Sequence, residues 1–237
     1  MDYEAKFVDP TYAGSANGSL AFRDSQPELD WKDEARIIAA YDGEIVRTKF
    51  LLEYFLEYFT YETGRSNAWS RTLVVYCGVG GLELFREPGE WGEPSTLHDS
   101  TLRVPLIVRH PDSLTGRRIF GDVVELRDVA PTLLDWFDLP APSSFDGRSL
   151  LARTDSYIER PFPERPAIAR SADGQSYSVR SRDWRLIVHE TDAGRDVELY
   201  HVRFDPHELA NVAAEHAQVV RELEDVLEAW QGGDRSP

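Results

Sequence analysis

Few side chains in this sequence can do chemistry, and they fall in small groups. Cys77 is the one cysteine, and it is followed by Gly78, Val79, Gly80 and Gly81. With no second thiol, neither an intramolecular disulfide nor a thiol-based zinc cluster can form, and Cys77 reads as a small buried hydrophobe. His98, Asp99, His110 and Asp112 lie near one another in the chain. A metal site would need three or four of them to converge. They sit before, at and after a candidate strand, so convergence does not follow, and solvated loop ends are the expectation. His201 and His207 read as surface histidines in a turn. Asp205 and Glu208, on either side of Pro206, read as residues that open a helix and satisfy its first N–H groups.

The elements that must position these residues follow from periodicity. Ile37, Ile38, Tyr41, Ile45, Phe50, Leu51, Tyr54, Phe55, Tyr58 and Phe59 recur at three- and four-residue steps, which predicts a long, heavily buried helix with a break near Gly43. The first 32 residues carry no sustained period and read as an irregular arm. Thr72 to Cys77 is short, apolar and β-branched, and ends in glycines. That pattern predicts a buried parallel strand. Arg103 to Arg109 predicts a second strand, irregular at its start because Pro105 has no N–H to give. Asp128 is placed to cap a helix through Ala130, Leu133, Leu134 and Phe137. Beyond Pro161, Pro163 and Pro166 the period becomes that of strands: 177–180, 184–188 and 197–200, with a tight turn at 192–196. A helix from about Ala214 to Trp230 closes the chain before Gly232 and Gly233. This divides the sequence into an arm (1–32), an α/β core (33–160), and an antiparallel sheet with one helix (161–237).

Composition narrows the function classes. The 237 residues are 41% hydrophobic, enough for a sizeable core. No run is apolar enough to span a bilayer and the amino terminus lacks the order of a secretion signal, so a cytoplasmic protein is expected. The formal net charge of -16 repels nucleic-acid phosphates and anionic lipid, so neither nucleic acid nor membrane is an expected partner. Lys occurs at positions 6, 32 and 49 alone, against 26 cations in all. An acidic surface poor in Lys matches a halophilic setting, where salt screens the self-repulsion.

Several stretches resemble the sulfatase family of the alkaline phosphatase superfamily. Tyr41-Asp42-Gly43-Glu44-Ile45 resembles a Tyr-Asp-Gly-Glu-Val helix of that family, with Tyr12-Ala13-Gly14 upstream. Ser95 to Asp99, Leu102 to Val108, Asp128 to Asp135 and Asp146 to Leu150 resemble its middle segments. Trp184 to Ile187, Glu198-Leu199-Tyr200 and Asp205 to Asn211 resemble its closing segment. The resemblance implies the carboxy-terminal part of such a fold: a partial alkaline-phosphatase-like sheet flanked by helices, followed by a small antiparallel sheet with one helix.

The departures from the family matter as much. The resemblance implies two amino-terminal metal-binding aspartates and a Cys-x-Pro-x-Arg nucleophile, and neither is present; Cys77 lacks that context. Where the family strand leads into an Asp-His-Gly or Asp-Asn-Gly pair of cation ligands, this sequence has Gly78 and Val79. Where the family has a catalytic His or Lys, this sequence has Glu93 in Trp91-Gly92-Glu93-Pro94. Calcium or magnesium needs oxygen ligands that Gly and Val cannot offer, and Glu93 would repel a sulfate oxygen. The expectation is a truncated, catalytically inactive sulfatase-like protein with no intact catalytic or metal residue and no cofactor, acting through homo-oligomerisation or association with a sulfatase-like chain. The alternative is a sulfuric ester hydrolase whose site a partner chain or rewired ligands complete, with calcium or magnesium then bound.

Overall fold

In the computed structural model, residues 7–19, 22–23, 28–64, 69–85, 91–92, 96–109, 121–151 and 164–233 are described. They divide into two compact units, Met1–Leu73 with Leu82–Pro94, and Val74–Gly81 with Ser95–Pro237.

The first unit is built on one helix, α1 (Trp31–Gly64). Its start is written locally. The Asp30 carboxylate accepts the N–H groups of Lys32 and Asp33 at 2.8 and 3.0 Å, while Asp33 reaches back to the Asp30 N–H at 3.2 Å. This reciprocal arrangement satisfies donors that the helix itself leaves orphaned. Asp33 also anchors the arm, because the Tyr12 hydroxyl donates to its Oδ1 at 2.5 Å and accepts from the Ala16 N–H at 2.8 Å. Gly18, with φ near +68°, lies against Ala40 and Ile37. The helix runs unbroken through Gly43, which is buried. The expected break is absent, since one glycine costs a helix only about 1 kcal/mol and packing overrides it. The expected uniform burial is also absent. Ile37, Ala39 and Ala40 are buried, whereas Phe50, Leu51, Tyr54, Phe55, Tyr58 and Tyr61 are each more than half exposed. A short hairpin of β2 (Glu83–Leu84) and β3 (Trp91–Gly92) completes this unit. Among the described residues no helix is long and apolar enough to cross a membrane.

In the second unit, β1 (Val74–Cys77) pairs with β4 (Leu106–Arg109), from Val74 opposite Arg109 to Cys77 opposite Leu106. The pairing is antiparallel, not parallel as expected. The pairing extends one residue past β1, where the Gly78 N–H donates to the Pro105 carbonyl at 2.9 Å. The short helix α2 (Asp99–Leu102) precedes β4, and the Gly81 N–H donates to the Thr101 carbonyl at 2.8 Å. A Cβ at Gly81 would stand 2.0 Å from the Ser100 carbonyl oxygen, so only glycine fits this approach. Helix α3 (Val129–Trp136) follows a 3₁₀ turn at Leu126–Asp128.

The remainder is a four-stranded antiparallel meander: β5 (Ala167–Arg170), β6 (Ser176–Arg180), β7 (Arg185–Thr191) and β8 (Gly194–Tyr200). Helix α4 (Ala217–Gln231) packs on it. Leu186 and Val188 of β7 point to one face and meet Val179, Leu199, Leu223 and Leu227. Ile187 points to the other and meets Leu97, Tyr200 and Val202. Both faces are therefore dry, which is why the run Leu186-Ile187-Val188 is apolar without alternation. Each such side chain contributes about 1.5–3 kcal/mol when fully buried.

Candidate functional site

Arg185 shares the face of β7 that carries Ile187, and it is only 2% exposed. A guanidinium taken out of water must be paired, and here its two terminal nitrogens are hydrogen-bonded and its Nε faces a carboxylate without a well-aligned hydrogen bond. Its Nη1 donates to the Leu97 carbonyl at 3.0 Å and to Ser178 Oγ at 2.8 Å. Its Nη2 binds the Asp99 carboxylate, and its Nε forms an ion pair with Glu208 Oε1 at 2.6 Å. The other oxygen of Glu208 accepts the Asp99 N–H at 2.8 Å and lies 3.1 Å from His98 Nδ1. His98 Nε2 is 3.8 Å from Glu198, whose carboxylate also accepts the Tyr200 hydroxyl at 2.6 Å. Arg180 reaches Asp99 at 3.5 Å. Burial pushes the Arg180 guanidinium below its ordinary pKa, and the Asp99 charge opposes that shift.

This network clips the 96–102 segment to the meander. His98 and Asp99 come together with Glu208 across 110 and 109 residues of chain. His98 is buried, not a solvated loop end, and Glu208 is not a residue that opens a helix. Residues 201–216 form turns, and Glu208 occupies the left-handed region at φ 55° with its side chain drawn inward. That backbone costs roughly 1–2 kcal/mol, and the side chain it turns inward pairs with the buried Arg185. Asp205 does act as a turn acceptor, taking the Ala210 N–H at 2.9 Å. His201 is half-buried in tilted ring contacts with Trp184 and Phe204, and His207 is exposed.

A second buried network surrounds Asp128, which is fully buried. The expected cap on α3 is not made. Instead Oδ2 accepts the Glu125 N–H at 3.0 Å, while Oδ1 accepts the Arg148 N–H at 2.9 Å and Arg165 Nη2 at 2.6 Å. Arg165 also meets Glu125 at 2.9 Å. Gly147 passes so close that a Cβ there would lie 2.0 Å from the Arg127 carbonyl oxygen. Burial, then the neighbouring Arg165 charge, lower the pKa of Arg148.

The positions singled out for their departure from the family are different in kind. Gly78 is wedged against Pro105 and Val104, where a Cβ would lie 3.0 and 3.1 Å from their side chains. Val79 is 94% exposed. Neither provides a side-chain oxygen, so these positions do not fit a calcium or magnesium ion. Glu93, His110 and Asp112 lie outside the described residues. Cys77 is exposed, not buried as expected: it ends β1, which among the described residues pairs with β4 alone. Among the described residues no three His, Cys, Asp or Glu side chains are grouped so as to hold a metal ion.

Sequence reasoning missed Arg185, Asp128 and Arg165 as centres of buried charge. Arg185 had a signal, since a charged residue inside an apolar strand run is buried only when paired. The partners of Asp128 lie up to 37 residues away and left none.

Solved structures that superpose on this chain include sulfatases of alkaline-phosphatase-like fold, and at under 25% identity the likeness is one of fold. One, solved with D-glucosamine-2-N,6-O-disulfate as its substrate, aligns with a TM-score of 0.69 and 22% identity over 90% of this chain and 44% of its own. A phosphonate monoester hydrolase of Agrobacterium radiobacter aligns with a TM-score of 0.66 and 23% identity over 86% of this chain and 43% of its own. The model of the family "N-sulphoglucosamine sulphohydrolase, C-terminal" matches residues 89–232, and the chain belongs to that family. An N-acetylglucosamine-6-O-sulfatase of Bacteroides thetaiotaomicron is 29% identical over 170 residues, covering 68% of this chain and 30% of that protein. Human arylsulfatase K is 27% identical over 166 residues, covering 66% of this chain and 30% of its own length. The match thus spans under a third of these relatives.

Proposed function

We propose that this sulfatase-family chain is non-catalytic by itself and acts through association. The observation that carries the reading is the pair Gly78 and Val79, which stand where the family resemblance puts cation ligands and supply no side-chain oxygen. Without a cation, nothing in the pair offsets the charge that develops on a transferring sulfuryl group, and that electrostatic contribution is usually the largest in such catalysis. The buried charged residues support the same reading. Arg185, Asp99, Glu208 and His98 are engaged with one another.

A second reading draws on the short span of the match, 30% of each relative's length. In it the chain is one part of a sulfate ester hydrolase, and a partner chain supplies the ligands, the nucleophile and the cation site. Assays of aryl sulfate and aryl phosphate monoesters with calcium, magnesium or manganese decide the first reading. The expected outcome for the chain alone is no turnover above buffer and no metal retained in equilibrium dialysis. Metal-dependent turnover by the purified chain sinks it.

A further inference from the structure

Asn17-Gly18-Ser19 lies in the arm that precedes α1, in a stretch with no regular secondary structure and with all three residues exposed. The Ser19 N–H donates to Asn17 Oδ1 at 3.0 Å, which closes a turn through the asparagine side chain. That donor is held in place, because Ser19 Oγ accepts the Phe22 N–H at 3.2 Å and the Ser19 carbonyl accepts the Arg23 N–H at 3.0 Å. A hydrogen bond to Oδ1 draws electrons from Cγ and stabilises the charge that develops on the oxygen when Cγ is attacked. The nucleophile beside it is the Gly18 nitrogen, with no Cβ to hinder its approach. Gly18 sits at φ near +68°, which glycine adopts without strain.

We propose that Asn17 is a self-modification site, where the chain converts its own asparagine to aspartate and isoaspartate with water as the co-reactant. The deprotonated Gly18 nitrogen attacks Asn17 Cγ, and the new C–N bond closes a five-membered imide. The Cγ–Nδ2 bond breaks, and the proton given up by the Gly18 nitrogen leaves with the ammonia. Water then adds to either imide carbonyl and reopens the ring. Addition at one carbonyl leaves aspartate, and addition at the other leaves isoaspartate with the main chain rerouted through Cβ. No electron changes hands. This inference is independent of the association reading above.

Asn211 is the contrasting case. Its Oδ1 accepts the Ala213 N–H at 3.0 Å in the same kind of turn, but it also accepts the Leu199 N–H at 3.0 Å, and its Nδ2 donates to the Val197 carbonyl at 3.2 Å. The carboxamide is thus tied to β8, and the residue that follows is the β-branched and stiffer Val212. Conversion at Asn17 also has a structural consequence. It adds a carboxylate and, in isoaspartate, one more backbone carbon between Ala16 and Gly18. Ala16 is 3% exposed and donates to the Tyr12 hydroxyl, while Gly18 lies against Ile37 and Ala40. The lengthened arm no longer fits that seat on α1.

The test ages the full chain at mildly alkaline pH and follows it by peptide-mapping mass spectrometry, with isoaspartate detected by methyl transfer from an isoaspartyl methyltransferase. The expected result is an amide-to-acid mass gain and methyl acceptance in the peptide that contains residue 17, at a rate no slower than in a synthetic peptide of residues 15–20. Asn211 stays unconverted, and Asn17→Gln removes both signals from the residue-17 peptide. In the converted protein the Ala16 amide exchanges at least tenfold faster while protection of β7 is unchanged, which separates a released arm from lost folding. Absence of conversion at residue 17, or a folded chain slower than the synthetic peptide, overturns the site. An Ala16 amide whose exchange does not move overturns the loss of the seat.

Discussion

Replacing Arg185 with Met keeps most of its volume and removes its charge. The side chain is 2% exposed and bonds to Asp99, Glu208, Ser178 and the Leu97 carbonyl. Glu208 is itself 1% exposed, so the substitution leaves a buried carboxylate whose nearest remaining partners are His98 and the Asp99 N–H. Breaking one side of a buried ion pair costs about 3–5 kcal/mol. Against a total stability of about 5–15 kcal/mol this is a large fraction, and at ~2–4 °C per kcal/mol for a chain of this size it lowers Tm by roughly 10 °C. Urea unfolding followed by tryptophan fluorescence reads the change directly, because Trp184 adjoins the site. Arg185→Met combined with Glu208→Gln removes the stranded charge and should recover about 1–3 kcal/mol relative to additivity. A loss below about 1 kcal/mol for the single variant, or strict additivity in the pair, refutes the claim that this network ties His98 and Asp99 to the meander.

Gly147→Ala forces a Cβ to within 2.0 Å of the Arg127 carbonyl, and thermal unfolding should show a loss of about 1–3 kcal/mol or more from the backbone shift. Asp173 accepts from Ser171 Oγ and from the Gln175 N–H at 3.0 Å, and the Ser171 bond is the larger cause holding its pKa below the ordinary value. Its contribution is therefore present at neutral pH and disappears as pH falls through that lowered pKa; carboxyl NMR titration should show the midpoint rising in Ser171→Ala, and an unmoved midpoint counts against the assignment. Raising salt from 0.1 to 2 M should raise Tm, because a net charge of -16 repels itself within a Debye length that shrinks from about 10 Å to under 3 Å. A flat or falling Tm would show that self-repulsion is not a governing term.

How much of this was legible depended on how far apart the interacting residues lie in the chain. The α1 start is legible because Asp30 and Asp33 act on N–H groups within three residues. The meander is legible because the polar stretch around Asp192 and Gly194 breaks the apolar period, although the turn itself is only Asp192-Ala193, and the strands on either side pair in sequence order. The orientation of β1 was misread because a short apolar run carries no mark of its partner's direction, and the partner, β4, lies some 30 residues away. The family was legible because its motifs are sequence facts in a fixed order.

Sequence by itself determined the long helix, the closing helix, the main strands of the meander, the acidic balance and the family, since these depend on residue type and near neighbours. Tertiary structure alone decided that Glu208 turns inward at φ 55°, that Asp128 serves Arg165 instead of its own helix, and that six apolar residues between Phe50 and Tyr61 of α1 are more than half exposed. The physical reason is common to all three: burial and charge pairing depend on which distant segment arrives, and periodicity records only that an apolar face exists, not whether anything covers it.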